Sequence, residues 1–453
     1  MSTTAKIAPP PEAPRVHRSI LRAAASITAA GFLVKLAATF KEFAVAGVYG
    51  RSDAMDAFLA AALIPGLLVN LISESMNQAL VPTLIRVREH QGRERAEELL
   101  SNSMLWLCIL LAAAMAAMAL CARGFFPLIA SHFPAAKLEL SIRLFYALLP
   151  AVLITGIAAN CTAVLSTVDR FALPALAPMA ISASIVAGAL LFGSRFGIWA
   201  MVYSTILGSL LHLALVAWMM AAHGYRLRPR WYGMTPATRE VGRQYGPVLL
   251  SGVVSSGGLL VDQSMAAMLP AGSVSALVYS NRFVSVVLAL VAGAVSTAIT
   301  PHFSRLIAHR DWSVCRQTLR TWLWLTALVS VPVAGLLIAA APFLVRAAFE
   351  HGAFGPRDTA VVARVLAMFA IQIPFFVTSR VFYRFLVAML RTDLVLYCGI
   401  VNLGLDIVLN LVLMRRFGVA GIALATSLWT VSTFFFLAYW TNKLLVKAES
   451  EKA

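Results

Sequence analysis

Three ionisable side chains stand where an apolar helix should carry none. Residues 32–58, FLVKLAATFKEFAVAGVYGRSDAMDAF, form a stretch long enough to cross a bilayer, with Lys35, Lys41 and Glu42 near its middle. A charge at the bilayer centre opposes insertion by roughly 2.5–3.5 kcal/mol, so this helix needs a polar partner. At about 100° per residue, Lys35 and Glu42 share one face and Lys41 lies partly round it. Two cations against one carboxylate leave a positive charge over. That face suits a water-filled cavity or an anionic ligand; the plainer reading is an internal Lys–Glu pair that fixes helix packing.

Other polar residues follow helical spacing. Asn70, Glu74, Asn77 and Gln78 form a stripe on an otherwise apolar rod, expected to look into the same cavity or to hydrogen-bond a neighbouring helix. Arg282, in YSNRFVSVVLALVAG, is either a cavity cation or an interfacial anchor. With Lys35 and Lys41 it would suit a phosphate or diphosphate, since Arg pairs bidentately with phosphate oxygens and Lys acts as a point charge. Further on, GIVNLGLDIVLNLVL places Asn402, Asp406 and Asn410 four apart on one face, and an earlier helix carries a lone Asp262. Two intramembrane carboxylates with amide oxygens are the hard donors that take Na⁺ or a transported proton.

The elements that must position these residues are membrane helices. Sixty per cent hydrophobic and 13 per cent charged residues over 453 positions exclude an ordinary soluble protein. Twelve apolar windows are predicted at roughly 24–50, 57–82, 104–126, 141–166, 174–194, 197–221, 246–268, 274–300, 319–341, 361–386, 393–414 and 418–442. With the N-terminus inside, 22 of the 37 Lys and Arg fall in inner segments and 8 in outer ones, Lys137 among the latter. The remainder lie in or at the edge of helices: Lys35, Lys41, Arg143, Arg282, Arg364, Arg380 and Arg384. The positive-inside rule therefore places both termini in the cytoplasm and explains the net charge of +17 without nucleic acid. The five cysteines are scattered without a CxxC and read as small apolar residues; the eight histidines form no HExxH. Neither GxxxxGK[ST] nor GxSxG occurs, so ATP hydrolysis and serine chemistry lack their signatures and no enzyme is expected. A membrane-embedded glycosyltransferase would be expected to carry acidic residues in long outer loops, and the outer loops here are short.

The chain contains itself twice. VPTLIR (81–86) and TPHFSR (300–305) occupy equivalent places, with Pro82 and Pro301 219 positions apart. FGIWAMVYSTILGSLLHLALVAW (196–218) is echoed from residue 417 to 440. Six helices per copy return the chain to its starting side, which makes the halves parallel repeats. The fold class expected is all-α: a polytopic bundle of twelve transmembrane helices in two lobes. Its parts are a disordered cytoplasmic tail (1–19), an N-lobe (20–222), a flexible basic linker (223–245), a C-lobe (246–443) and a cytoplasmic tail (444–453). Such a bundle holds its substrate near the midplane between lobes, and the function implied is transport by alternating access.

The chain resembles the MurJ/MviN lipid II flippases of the multidrug/oligosaccharidyl-lipid/polysaccharide exporter superfamily. The stretches that carry the resemblance are DAFLAAALIPGLL (56–68), NQALVP (77–82), DRFALPALAP (169–178), AGSVSALVYSNR (271–282), FEHGAFGPRD (349–358) and GIALATS (421–427). Their order and spacing cover nearly all of residues 20–445. The resemblance implies a V-shaped bundle of the bacterial inner membrane that moves a polyprenyl-diphosphate-linked sugar to the outer leaflet. The family's cationic cavity falls on Lys35, Lys41 and Arg282, with the DAF aspartate at Asp56. Its sodium site falls on Asp262, Asn402, Asp406 and Thr426 with the carbonyl of Ile422. Lysines replace the usual arginines at 35 and 41, Asn70 stands for another arginine, and Ser285 for an acidic residue. The family usually has fourteen helices, the last two helping to form a groove for the lipid tail, whereas twelve are predicted here, so the cargo could be a saccharide other than lipid II.

The expectation is thus a flippase for an undecaprenyl-diphosphate-linked saccharide, lipid II or a polysaccharide repeat unit. It is expected to work as a monomer among membrane lipids, with Na⁺ or H⁺ as coupling ion and no covalent cofactor. The substrate cavity would comprise Lys35, Lys41, Glu42, Asp56, Asn70, Glu74 and Arg282. The alternative is an ion-coupled multidrug exporter of the same superfamily, which would favour carboxylates in its cavity. A third reading is a scaffold without transport.

Overall fold

The computed structural model describes residues 13–166, 172–225, 230–308, 311–389 and 391–450. The expectations for residues 1–12, for Asp169, Arg170 and Phe171 of the DRF stretch, for linker positions 226–229 and for 451–453 lie outside the described residues. Everything regular among the described residues is helix. The first half comprises α1 (Ala13–Tyr49), α2 (Asp53–Gln91), α3 (Arg93–Ile129), α4 (Ala135–Leu165), α5 (Ala172–Leu176), α6 (Met179–Phe196) and α7 (Trp199–Ala222). The second comprises α8 (Pro236–Ala267), α9 (Ser273–Ala308), α10 (Trp312–Phe349), α11 (Pro356–Ala370), α12 (Gln372–Ala388), α13 (Thr392–Phe417) and α14 (Val419–Ser450).

Eleven described segments are long and apolar enough to span a membrane, with α11 and α12 counting as one. Joined by α1, they make the twelve rods expected from hydropathy. Two limits differ from expectation: α1 begins at Ala13, inside the segment read as a tail, and α14 continues to Ser450. Large apolar side chains such as Leu120, Leu128, Trp218, Trp324, Leu336 and Phe343 are exposed on the outer faces, which a lipid solvent favours.

The two halves repeat one packing plan. In the first, α2 packs on α3 and α4, α4 on α7, α6 on α7, and α1 on α6. In the second, α9 packs on α10 and on α11/α12, α11 and α12 on α14, α13 on α14, and α8 on α13. The α6–α7 and α13–α14 hairpins turn at Gly197 (φ 54°) and Gly418 (φ 57°), a backbone region that side chains disfavour. The repeat is therefore written in the backbone as well as in the sequence.

The lobes meet unequally. α2 and α8 run antiparallel in close contact, with Leu71 against Gly252 and the Arg86–Glu240 ion pair near the linker end. α1 and α9 meet around Glu42–Arg282 and Phe43–Phe283, while Lys35 and Leu290, nearer the linker end, are exposed. One flank is thus shut and the other opens toward the linker. The described stretch of the linker that leads into α8 is held to α3: Ser101 Oγ donates to the Arg230 carbonyl (2.9 Å), and Asn102 accepts from Tyr232 N (2.8 Å) and donates to the Gly233 carbonyl (2.9 Å).

Candidate functional site

Glu42 is the junction of the two lobes. It is 2% exposed, and its Oε1 accepts from Lys41 Nζ (2.9 Å) on its own helix and from Arg282 Nε (3.1 Å) on α9. Phe43, one residue on, packs against Phe283 and Phe349 and fixes the approach of α1 to α9. A buried carboxylate without cations would be costly, and two cations on one oxygen leave a surplus positive charge. That surplus is accessible, since the Arg282 side chain is 39% exposed. Lys35 is also exposed. It lies seven residues nearer the linker end on the face of Glu42, about 10 Å along the helix at 1.5 Å per residue. Of the expected cluster of Lys35, Lys41 and Arg282, Lys41 and Arg282 meet on Glu42 as their shared counter-ion, and Lys35 stands apart from them.

The α2 stripe looks into the space beside them. Asn70, Glu74 and Gln78 are exposed, with Gln78 Nε2 donating to Glu74 Oε1 (3.3 Å). They point away from Met76, which faces α3, because two residues turn a helix by about 200°. α3 is the outer neighbour, so the stripe faces inward. Asn77 leaves the stripe and accepts from Asn160 Nδ2 (3.1 Å) inside the lobe.

Asp56 occupies a different place from the one the resemblance implied. It is 1% exposed and caps the start of α9, accepting from Gly272 N (2.7 Å) and Ser275 N (2.9 Å). Lys137 Nζ completes its shell at 3.2 Å and reaches Asp53 at 2.7 Å. The positive end of α9 and a buried ammonium hold the carboxylate in a seal beyond the chamber. Lys137, counted from sequence as an outer-loop cation, is buried here. Arg51 reinforces the seal, donating to the Gly272 carbonyl (2.9 Å) and pairing with Asp358 (3.1 Å). Ala353 N donates to the Gly47 carbonyl (2.8 Å), and Tyr279 Oη to that of Gly50 (3.1 Å). Arg51, Lys137 and Asp358 escaped sequence reasoning. The one available signal was that Gly50 and Gly272, both with positive φ, stand a repeat length apart.

A second polar cluster lies inside the C-lobe. Asn410 Nδ2 on α13 donates to Asp262 Oδ1 on α8 (2.8 Å) and to Asp406 Oδ1 (3.1 Å). Thr426 on α14 donates to Asp262 Oδ2 (3.0 Å) and to the Ile422 carbonyl (3.1 Å). Asp406 Oδ2 and Asn410 Oδ1 are buried without a hydrogen-bond partner. Unspent oxygens beside two carboxylates form an oxygen-only donor set, the kind that suits a hard cation or a shared proton. Among the described residues no group of three or more His, Cys, Asp or Glu is placed to hold a metal ion, so a cation here would rest on two carboxylates with amide, hydroxyl and carbonyl oxygens. Asn402, one turn before Asp406, bonds neither carboxylate: its Nδ2 donates to Thr433 Oγ1 (2.7 Å) and toward Cys398 Sγ.

The family description "Lipid II flippase MurJ" matches residues 45–452. A probable lipid II flippase MurJ of Buchnera aphidicola subsp. Acyrthosiphon pisum is 21% identical over 425 residues, 93% of this chain and 83% of that protein. One from Vibrio cholerae is 25% identical over 428 residues, 91% and 81% respectively. Among solved structures, a lipid II flippase MurJ in an inward closed conformation superposes with a TM-score of 0.78 at 22% identity, covering 93% of this chain and 89% of that one. An inward-facing multidrug resistance MATE family transporter of the MOP superfamily gives 0.72 at 14% identity, covering 93% and 100%. Taken with the twelve rods, the repeated packing plan and the match over most of its length, the chain belongs to the lipid II flippase MurJ family.

Proposed function

We propose that the protein flips a polyprenyl-diphosphate-linked saccharide, lipid II or a polysaccharide repeat unit, across the bacterial inner membrane. The observation that carries this reading is Glu42 pinning Lys41 and Arg282 from opposite lobes while a positive charge faces an open chamber. A diphosphate entering past Lys35 meets Arg282, whose guanidinium can take two of its oxygens. It competes with Glu42 for both cations, and loosening that junction frees α1 from α9. The open α1–α9 flank lets the polyprenyl tail stay in lipid while the wet sugars lie against Asn70, Glu74 and Gln78. With both termini cytoplasmic, the Asp56–Arg51 seal closes the outer side.

In the C-lobe, Asp262, Asp406, Asn410, Thr426 and the Ile422 carbonyl would hold Na⁺ or a proton. Such an ion supplies the positive charge that lets two buried carboxylates share one site. Asp262, Asp406 and Thr426 bring α8, α13 and α14 together, so the cluster can bias one arrangement of the lobe. A multidrug exporter would want chamber carboxylates free for organic cations; Glu42 is already occupied by two cations, and Glu74 stands against the surplus charge of Lys35, Lys41 and Arg282.

The test is complementation of a lipid II flippase depletion strain. Lys41→Gln and Arg282→Gln are expected to abolish rescue while the proteins remain inserted at normal level. Full rescue by both would overturn the assignment of the chamber, and rescue failing with the unaltered protein would move the cargo to another lipid-linked saccharide.

A further inference from the structure

On the outer side of the shut α2–α8 flank lies a pocket of about 540 Å³, lined by Met76 of α2, Ser103 and Trp106 of α3, and Thr238, Gly242 and Tyr245 of α8. Its size falls within the roughly 300–1,000 Å³ of small-molecule sites. The lining is almost wholly apolar, and a Cβ added at Gly242 would meet nothing within 4 Å, so the space is open to the helix backbone.

Cations and interfacial rings mark one end. Arg239 lines the pocket and Arg243 follows one turn later, both exposed on α8. The nearby carboxylate, Glu240, is engaged by Arg86 and by Gln244 Nε2 (3.3 Å), so it does not neutralise them. Trp106 packs edge-on against Trp231 at 6.1 Å, and Trp231 and Tyr232 are exposed beside them. Trp and Tyr with nearby arginines define the headgroup level of a bilayer.

We propose that this pocket binds a resident anionic phospholipid, one acyl chain between α2, α3 and α8 and its phosphate against Arg239 and Arg243. Charge complementarity favours an anionic over a zwitterionic headgroup. The cargo's own tail is a different occupant: it belongs to the α1–α9 flank, and Met76 faces away from the inward stripe of α2. A lipid seated here touches both lobes and the pinned linker, so it braces the α2–α8 flank in its shut state.

Native mass spectrometry of the purified full chain, supplied with equal phosphatidylglycerol and phosphatidylcholine, tests this. The expected result is about tenfold preferential retention of phosphatidylglycerol, equivalent to about 1.4 kcal/mol. The Arg239→Ser/Arg243→Ser double variant should lose the preference yet still retain lipid, and Gly242→Leu, which fills the pocket, should lower retention of both lipids. Equal retention of the two lipids by the unaltered protein, or a preference untouched by both variants, would overturn the proposal. So would a rise in Tm with inorganic phosphate alone equal to that with phosphatidylglycerol, which would mark an anion site without an acyl-chain component. None of these readouts depends on flipping, so the lipid site and the proposed transport stand or fall separately.

Discussion

Arg51 and Asp358 are 307 positions apart, yet their side chains meet at 3.1 Å and join the α1–α2 turn of the first lobe to the start of α11 in the second. The same guanidinium holds the Gly272 carbonyl, and Asp56 holds the amide beside it. One end of the chamber is therefore shut by charged side chains clasping the backbone of buried helix ends rather than by apolar packing alone. Such a clasp can release without unfolding either lobe.

Removing it should open that end. In a background with the native cysteines replaced, Ser275→Cys places a thiol at a position that is 0% exposed. Arg51→Ala should raise its labelling by a membrane-impermeant maleimide about tenfold, the effect of about 1.4 kcal/mol on the open population. Asp56→Ala, which leaves the Gly272 and Ser275 amides without their acceptor and Lys137 with Asp53 alone, should cost about 1–3 kcal/mol for each amide left unsatisfied, read as lost accumulation or lowered Tm. Unchanged labelling in Arg51→Ala would mean the seal lies elsewhere.

Glu42→Gln keeps the shape of the junction and removes the anion that Lys41 and Arg282 share. Binding of pyrophosphate should tighten about tenfold, because the ligand no longer competes with an internal carboxylate. Flipping should slow, because the lobes lose the tie that re-forms when cargo leaves. Isothermal titration beside a flipping assay separates the two effects. Weaker pyrophosphate binding would show that Glu42 positions the cations rather than screening them.

The C-lobe cluster should report cation binding as stability. An ion that binds the folded state stabilises it by RT ln(1 + [L]/Kd), so Tm should rise on exchanging KCl for NaCl. Asp406→Asn, Asp262→Asn and Asn410→Ala should abolish that rise. Asn402→Ala should leave it intact, since Asn402 bonds Thr433 and Cys398 rather than either carboxylate. A sodium effect lost equally in Asn402→Ala would restore that residue to the site.

The paired glycines give a test of the repeat. Gly197→Ala and Gly418→Ala force a side chain into φ near +55°, with an expected cost of about 1–3 kcal/mol each. Being distant, the two should add in the double variant within about 0.5 kcal/mol. Thermal denaturation in detergent measures all three proteins. A large departure from additivity would show that the two hairpins are energetically coupled.

Hydropathy carries most of the fold because a helix must satisfy its backbone within the membrane, so spans and repeat are legible from local pattern. Lys41, Glu42 and Arg282 were legible for the same reason, as charges where charges are costly. The seal was not: Arg51, Asp53, Lys137 and Asp358 sit at helix ends, where charge is ordinary, and their partners are set by how the lobes dock. The choice between Asn402 and Asn410 was also hidden. They share one face of α13 two turns apart, and only the depth at which α8 and α14 present Asp262 and Thr426 decides between them.

The contact plan, in which each half packs mainly on itself, bears on how the molecule is made. As the chain leaves the ribosome, α1 to α7 can close on one another before α9 exists, leaving Asp56 at the rim to be hydrated until Gly272 and Ser275 are synthesised. Joining the two halves is then the last act of biogenesis, and a nascent protein stalled after its first half is expected to be inserted and compact, with a rim of paired charges still waiting for its mate.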